Sequence, residues 1–122
     1  MKRILLVDDS QYTLATLSDM LSKADFLVKT CTSVEEAVKE FAPNKFDLVI
    51  TDIVMKNLDQ DGTKLAQHVK LKQANCPVLA ITSGLEFDKD TYIKYVNKFV
   101  DETLIKGFTK EVFLATINRL VA

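Results

Sequence analysis

Five short apolar runs, each followed by a stretch with helical spacing, constrain this chain more than any other feature. The runs are residues 4–7 (ILLV), 26–31 (FLVKTC), 46–51 (FDLVIT), 77–82 (PVLAIT) and a weaker 103–105 (TLI). They are rich in Val, Ile and Leu and nearly continuous rather than alternating, the pattern of strands covered on both faces in a parallel sheet. The intervening stretches read as helices. Residues 10–24 place Leu14, Leu17, Leu21 and Ala24 on one face. Residues 34–42 follow Ser33, with Glu36 in capping-box position. Residues 62–74 present Leu65, Ala66 and Val69, and residues 89–99 follow Asp88 and present Ile93 and Val96. Residues 110–121 follow Thr109 and present Phe113, Ile117 and Leu120. Repeated strand-then-helix units predict a doubly wound α/β fold with five strands and five helices. The 122 residues fit one domain, 1–122.

Charge and cysteine content narrow the function. A net charge of −1 offers no electrostatic footprint for nucleic acid or an anionic membrane. Cys31 and Cys76 lack metal-ligand or redox spacing and read as reduced thiols. The apolar run after Lys2 and Arg3 is too short for a signal peptide, and no run approaches a membrane span. A cytoplasmic location is the simplest expectation. The last helix falls at the end of the chain, so the expectation is a stand-alone domain with no attached output domain.

The chemistry lies where the runs stop. Ligands of an open parallel sheet bind beyond the carboxyl ends of its strands. Asp8 and Asp9 follow the first run, Asp52 ends the third in LVITD, Thr82 and Ser83 end the fourth, and Lys106 follows the fifth. If the corresponding strands lie side by side, three carboxylates, two hydroxyls and one ammonium face one crevice. Two carboxylates about 4 Å apart repel by about 4 kcal/mol at an effective dielectric near 20. Lys106 offsets part of that repulsion. A hard dication suits the rest, and few protein oxygens describe Mg²⁺ better than a Ca²⁺ cage. Taken singly, each residue has a plainer reading: an Asp9 or Ser10 helix cap, a loop carboxylate, a strand-end hydroxyl, a surface lysine. Their coincidence at strand ends is what argues for a site.

With these residues in place, the whole chain resembles the receiver domain of two-component response regulators. The resemblance implies a flavodoxin-like sheet of order 2-1-3-4-5. It implies Asp52 as phosphoacceptor, Asp8 and Asp9 as the acidic pair holding Mg²⁺, and the Val54 backbone carbonyl as a further metal ligand. Thr82 matches the switch hydroxyl and Lys106 the lysine that contacts the phosphoryl group. A sensor histidine kinase or phosphotransfer protein would supply the phosphoryl, and a downstream protein target would read a changed surface. Such a domain is a signalling phosphoacceptor, not an enzyme with a separate substrate.

The sequence departs from the family pattern in several places. Lys56 stands where Pro is usual, and Gly62 falls two residues later than the family spacing from Asp52. Gly107 follows Lys106 where a cis-proline is usual, which predicts a trans Lys106–Gly107 bond with Gly107 absorbing unusual dihedrals. Thr103 replaces the aromatic residue that ordinarily moves with the switch, so the signal falls to the loop after Thr82 and the helix over 89–99. Val54 and Gly84, which border the path of the hydrolytic water, cannot orient it through their side chains. Ser83 is bulkier than the usual Ala.

Three other readings compete. A degenerate receiver would use the same fold as a phosphorylation-independent interaction module. A flavodoxin-like cofactor binder would need a phosphate-cradling loop where this chain has DDSQYT. A haloacid-dehalogenase-type phosphatase would need DxD after the first strand, and Asp8-Asp9-Ser10 lacks that spacing. His68, the single histidine, reads as a helix-surface residue.

Overall fold

The computed structural model describes residues 1–53, 62–82 and 98–122. Its strands are β1 (Arg3–Val7), β2 (Leu27–Cys31), β3 (Leu48–Asp52), β4 (Val78–Thr82) and β5 (Glu102–Ile105). Among the described residues the helices are α1 (Gln11–Lys23), α2 (Val34–Glu40), α3 (Gly62–Lys72) and α4 (Lys110–Leu120). The expected helix over 89–99 lies outside the described residues, apart from Lys98 and Phe99, which form a turn. The sheet is five-stranded in the order β2-β1-β3-β4-β5, with every neighbouring pair parallel.

The pleat explains the unbroken apolar runs. Ile4 and Leu6 of β1 join Leu48, Ile50, Leu79 and Ile81 in one core with Leu14, Leu17 and Leu21 of α1 and Phe113 and Ile117 of α4. Leu5 and Val7 face the opposite way, into a core with Val49, Val78, Ala37 of α2 and Leu65, Ala66 and Val69 of α3. Side chains still alternate with period two, but both faces are covered, so both sets must be apolar. The central strands β1, β3 and β4 are buried almost throughout, whereas β2 and β5, at the edges, are largely exposed or half-buried.

Caps fix the helix boundaries. Ser10, not Asp9, caps α1: its hydroxyl accepts from the Thr13 N–H at 3.3 Å. Ser33 and Thr109 do the same for α2 and α4, accepting from the Glu36 and Val112 N–H groups at 3.1 Å each. The capping box of α2 closes one residue early, because the Glu36 carboxylate accepts from the Thr32 N–H and hydroxyl. Helix α2 also ends at Glu40 rather than residue 42. Phe41 turns extended and buries its ring, and Ala42 precedes Pro43, which disfavours helical backbone there. His68 is half-buried on α3, with its ring edge-on to Phe41 at 6.2 Å.

Helix α1 ends in a Schellman motif with an unsuitable residue in it. Phe26 N–H donates to the Leu21 carbonyl and Asp25 N–H to that of Ser22, and Phe26 and Leu21 share one core. Asp25 sits at φ 68°, left-handed backbone that favours glycine. Asp25→Gly is therefore expected to stabilise the protein by about 0.5–1 kcal/mol, because strain relief exceeds the added unfolded-state freedom. Urea denaturation checks this through the midpoint, and a midpoint at or below the native value contradicts it.

The lower end of the sheet is pinned by ions. Asp101 Oδ2 accepts from Lys70 Nζ at 2.7 Å and from the Val78 N–H at 2.8 Å, tying α3 and the start of β4 to the approach to β5. Lys70 Nζ also donates to the Cys76 carbonyl. These bonds set where β5 begins, and hence where Lys106 emerges one residue beyond its end.

Candidate functional site

Each site residue is placed by a strand tip. Asp8 extends β1 by one rung, with its N–H donating to the Cys31 carbonyl at 3.2 Å. Its Oδ1 accepts from the Ser10 N–H at 2.8 Å, closing the turn that hands the chain to α1 and leaving Oδ2 for the crevice. Asp52 is the last residue of β3, and β3 pairs with β1 through Val7↔Thr51 and with β4 through Asp52↔Ile81. Lys106 N–H donates to the Thr82 carbonyl at 2.7 Å, which fixes the chain just after β5 against the end of β4. By pleat parity Asp8, Asp52 and Lys106 belong to the face of Leu6, Ile50 and Leu104. Thr82 takes the parity of Ala80.

The carboxylates of Asp8, Asp9 and Asp52 converge, each offering an oxygen within 4.8 Å of the other two. Lys106 Nζ stands 3.2 Å from Asp52 Oδ2 and 3.8 Å from Asp8 Oδ2. Asp8 and Asp52 are almost wholly buried, at 2% and 5% exposure, so solvent screens them little. At 4.8 Å and an effective dielectric near 20, each carboxylate pair repels by roughly 3.5 kcal/mol.

Titration follows from this crowding. Burial, with the nearby Asp8 charge, pushes the Asp52 carboxyl up to about 6, although Lys106 pulls the other way. The Asp8 carboxyl is also raised, by burial first and by Asp9, against the opposing Ser10 N–H and Lys106. For Lys106, burial favours the neutral amine, but the Asp52 and Asp8 charges outweigh it and raise the ammonium.

Among the described residues, three carboxylates against one ammonium leave a surplus of two negative charges. A divalent cation neutralises that surplus, and a donor set made only of oxygens suits a hard one. The residues present therefore fit the expected metal.

Most of the expected site residues fall within the described structure. The three carboxylates and Lys106 form one group. Thr82 is buried at the end of β4, beside Lys106 through its backbone. Val54, Ser83 and Gly84 lie outside the described residues, as does the segment assigned to signal transmission. Thr103 pairs with Ala80 and is half-buried in β5. The Lys106–Gly107 bond is trans, and Gly107 lies at φ 106°. That conformation is closed to proline, whose ring holds φ near −65°, so glycine replaces the family's usual residue together with a different backbone path.

Thr51 went unremarked in the sequence, and Gly62 stood out there only for its spacing from Asp52, not for contact with it. Thr51, wholly buried, donates its hydroxyl to the Asp52 backbone carbonyl at 2.9 Å. Gly62 opens α3 with its N–H on the Ile53 carbonyl at 3.0 Å. A Cβ at Gly62 would collide with the Asp52 carbonyl oxygen and lie 2.8 Å from the Thr51 hydroxyl. The available signal was a polar residue inside an otherwise apolar buried run.

The family model for the response regulator receiver domain matches residues 4–118. The chain belongs to this receiver domain family. Curated relatives include transcription factor prr1 of Schizosaccharomyces pombe, 30% identical over 96% of this chain and 21% of its own length. Regulatory protein VanRB of Enterococcus faecalis is 29% identical over 98% of this chain and 52% of its own length. The chain thus spans from about a fifth to about half of these two relatives. Among solved structures, the response regulator TrrA of Thermotoga maritima, in complex with Mg²⁺-BeF, superposes with a TM-score of 0.83 at 28% identity. That match covers 98% of this chain and 99% of TrrA. Receiver domains are signalling modules of two-component systems that interact with histidine kinases or phosphotransfer proteins. Among the described residues, no helix is long and apolar enough to cross a membrane.

Proposed function

We propose that this receiver, spanning residues 1–122, accepts a phosphoryl group on Asp52 in a Mg²⁺-dependent reaction. The donor is a phosphohistidine on a sensor kinase or phosphotransfer protein, and the modified surface is read by a protein target. The observation that carries this reading is the convergence of Asp8, Asp9 and Asp52 beside Lys106 at the strand tips. The likeness to TrrA in complex with Mg²⁺-BeF supports it.

Asp8, Asp9 and Asp52 would hold the ion, with the Val54 carbonyl as a further ligand. When bound, Mg²⁺ supplies positive charge to the phosphoryl oxygens. The chain's own groups do the rest. An Asp52 carboxylate oxygen forms a bond to phosphorus as the donor's P–N bond breaks, giving an acyl phosphate on Asp52. Lys106, released from its ion pair with that oxygen pair, offers its ammonium to a phosphoryl oxygen as a point charge. Asp8 keeps its turn bond to Ser10 throughout, so its free oxygen is already oriented before the donor arrives. Thr82 follows as a hydroxyl that bonds the new phosphoryl and draws its loop inward.

The test is incubation of the native chain and Asp52→Asn with a small acyl phosphate, with and without Mg²⁺, followed by intact mass. One phosphoryl is expected on the native chain with metal, and none on the variant or without metal. A folded native protein that gains no phosphoryl contradicts the reading and leaves the domain as an interaction module.

A further inference from the structure

We propose that Thr51 is a positioning residue for Asp52, holding through its buried hydroxyl the main-chain carbonyl next to the Cα from which the Asp52 carboxylate projects. This rests on the reading of Asp52 as phosphoacceptor.

The alternation of β3 shows that this peptide group is held by β4 at its N–H end and needs a partner at its carbonyl end. Val49 N–H donates to the Pro77 carbonyl at 3.1 Å and Ile53 N–H to the Ile81 carbonyl at 3.0 Å, so these residues point toward β4. Asp52, between them in parity, directs its backbone carbonyl toward β1. The register with β1 stops one residue earlier, at Val7↔Thr51. The Asp52 carbonyl therefore lies just past the last paired rung. Thr51 Oγ1 donates to it at 2.9 Å, and the bare Cα of Gly62 closes over the same oxygen.

A threonine in this place is otherwise unfavourable. Thr51 is 0% exposed in a strand whose neighbours are Val49 and Ile50, where valine would fill the same volume with no hydroxyl to satisfy. Its partner is the main chain of the one residue in β3 that carries the chemistry. Rotation of that peptide swings the carboxylate relative to Lys106 at 3.2 Å and to the Asp8 and Asp9 oxygens. Misplacement by a fraction of an ångström is enough to slow a reaction that depends on alignment.

The experiment compares phosphoryl uptake from a small acyl phosphate at saturating Mg²⁺ in the native chain, Thr51→Val and Thr51→Ser. Thr51→Val is expected to lower the maximal rate about tenfold with the half-saturating donor concentration unchanged. Thr51→Ser, which keeps the hydroxyl, is expected to recover most of that loss. Thr116→Val is the structural control: Thr116 is another buried threonine whose hydroxyl donates to a backbone carbonyl, Val112, at 2.8 Å, but it lies in α4. It should lose comparable stability and keep the native rate. If Thr51→Val does not fold, Thr51→Cys, with a weaker donor of similar size, should fall between the native chain and complete loss of the bond. A hydroxyl-free variant that phosphorylates at the native rate overturns the positioning role while the Asp52 reading stands. A native chain that takes up no phosphoryl overturns both.

Discussion

Asp52→Asn should make the metal-free protein more stable at pH 7.5, by about 2 kcal/mol, even as it removes the nucleophile. The native carboxyl titrates near 6, against 3.8 for the ordinary group, because burial and then Asp8 penalise its charge. The folded state therefore binds more protons than the unfolded state between about pH 4 and 6, and native stability falls as pH rises through that window. Above it the folded chain carries the full cost of the charge, which asparagine abolishes. Below about pH 4 both states are protonated and the difference between native and variant should disappear. The ceiling from a shift of this size is about 3 kcal/mol, and sharing of the proton with Asp8 lowers it. In thermal melts the gain corresponds to roughly 8 °C for a domain of this length. Mg²⁺ should stabilise the native protein and have a smaller effect on the variant, since it offsets the same repulsion. A variant no more stable than the native chain at pH 7.5 would show that Asp52 is not strained by its neighbours.

The second large effect is expected at Gly62, for reasons of space. Placing alanine at the first position of a helix gains up to about 1 kcal/mol in propensity. Against that, the new Cβ overlaps the Asp52 carbonyl oxygen and crowds the Thr51 hydroxyl. The obstacle is main chain rather than the end of a flexible side chain. Relief requires moving the start of α3, which breaks the Gly62–Ile53 bond, or moving Asp52, which breaks the Thr51 bond. Overpacking of this kind costs about 3 kcal/mol, so it outweighs propensity. Gly62→Ala should unfold at a lower urea concentration by a net amount of about 2 kcal/mol. It should also phosphorylate more slowly, because the shift is transmitted to Asp52. Unchanged stability together with an unchanged rate would show that the carbonyl moves freely.

The sequence made the sheet legible because burial on both faces forces apolar residues at every central position, as Ile4 through Val7 illustrate. The edges were harder. In β2 only Cys31 is fully buried, and in β5 no residue is, so these strands carry little hydrophobic signal and their placement relies on topology. The acidic cluster was legible because carboxylates at strand ends are conspicuous against apolar runs. Thr51 was not, since a β-branched residue within a strand passes as an ordinary β former whether or not its hydroxyl has a task. Helix ends shifted where tertiary burial won over periodicity, as when Phe41 left the helical path to reach the core.

Lys106 stands just past an edge strand whose one neighbour in the sheet is β4. The cation of the site is thus mounted at an edge of the sheet, while Asp8 and Asp52 are rooted in its centre. Whatever engages that ammonium therefore also bears on the end of β5. A small anion that drew Lys106 toward itself would thereby pull on an outer strand from its tip, with no hinge required.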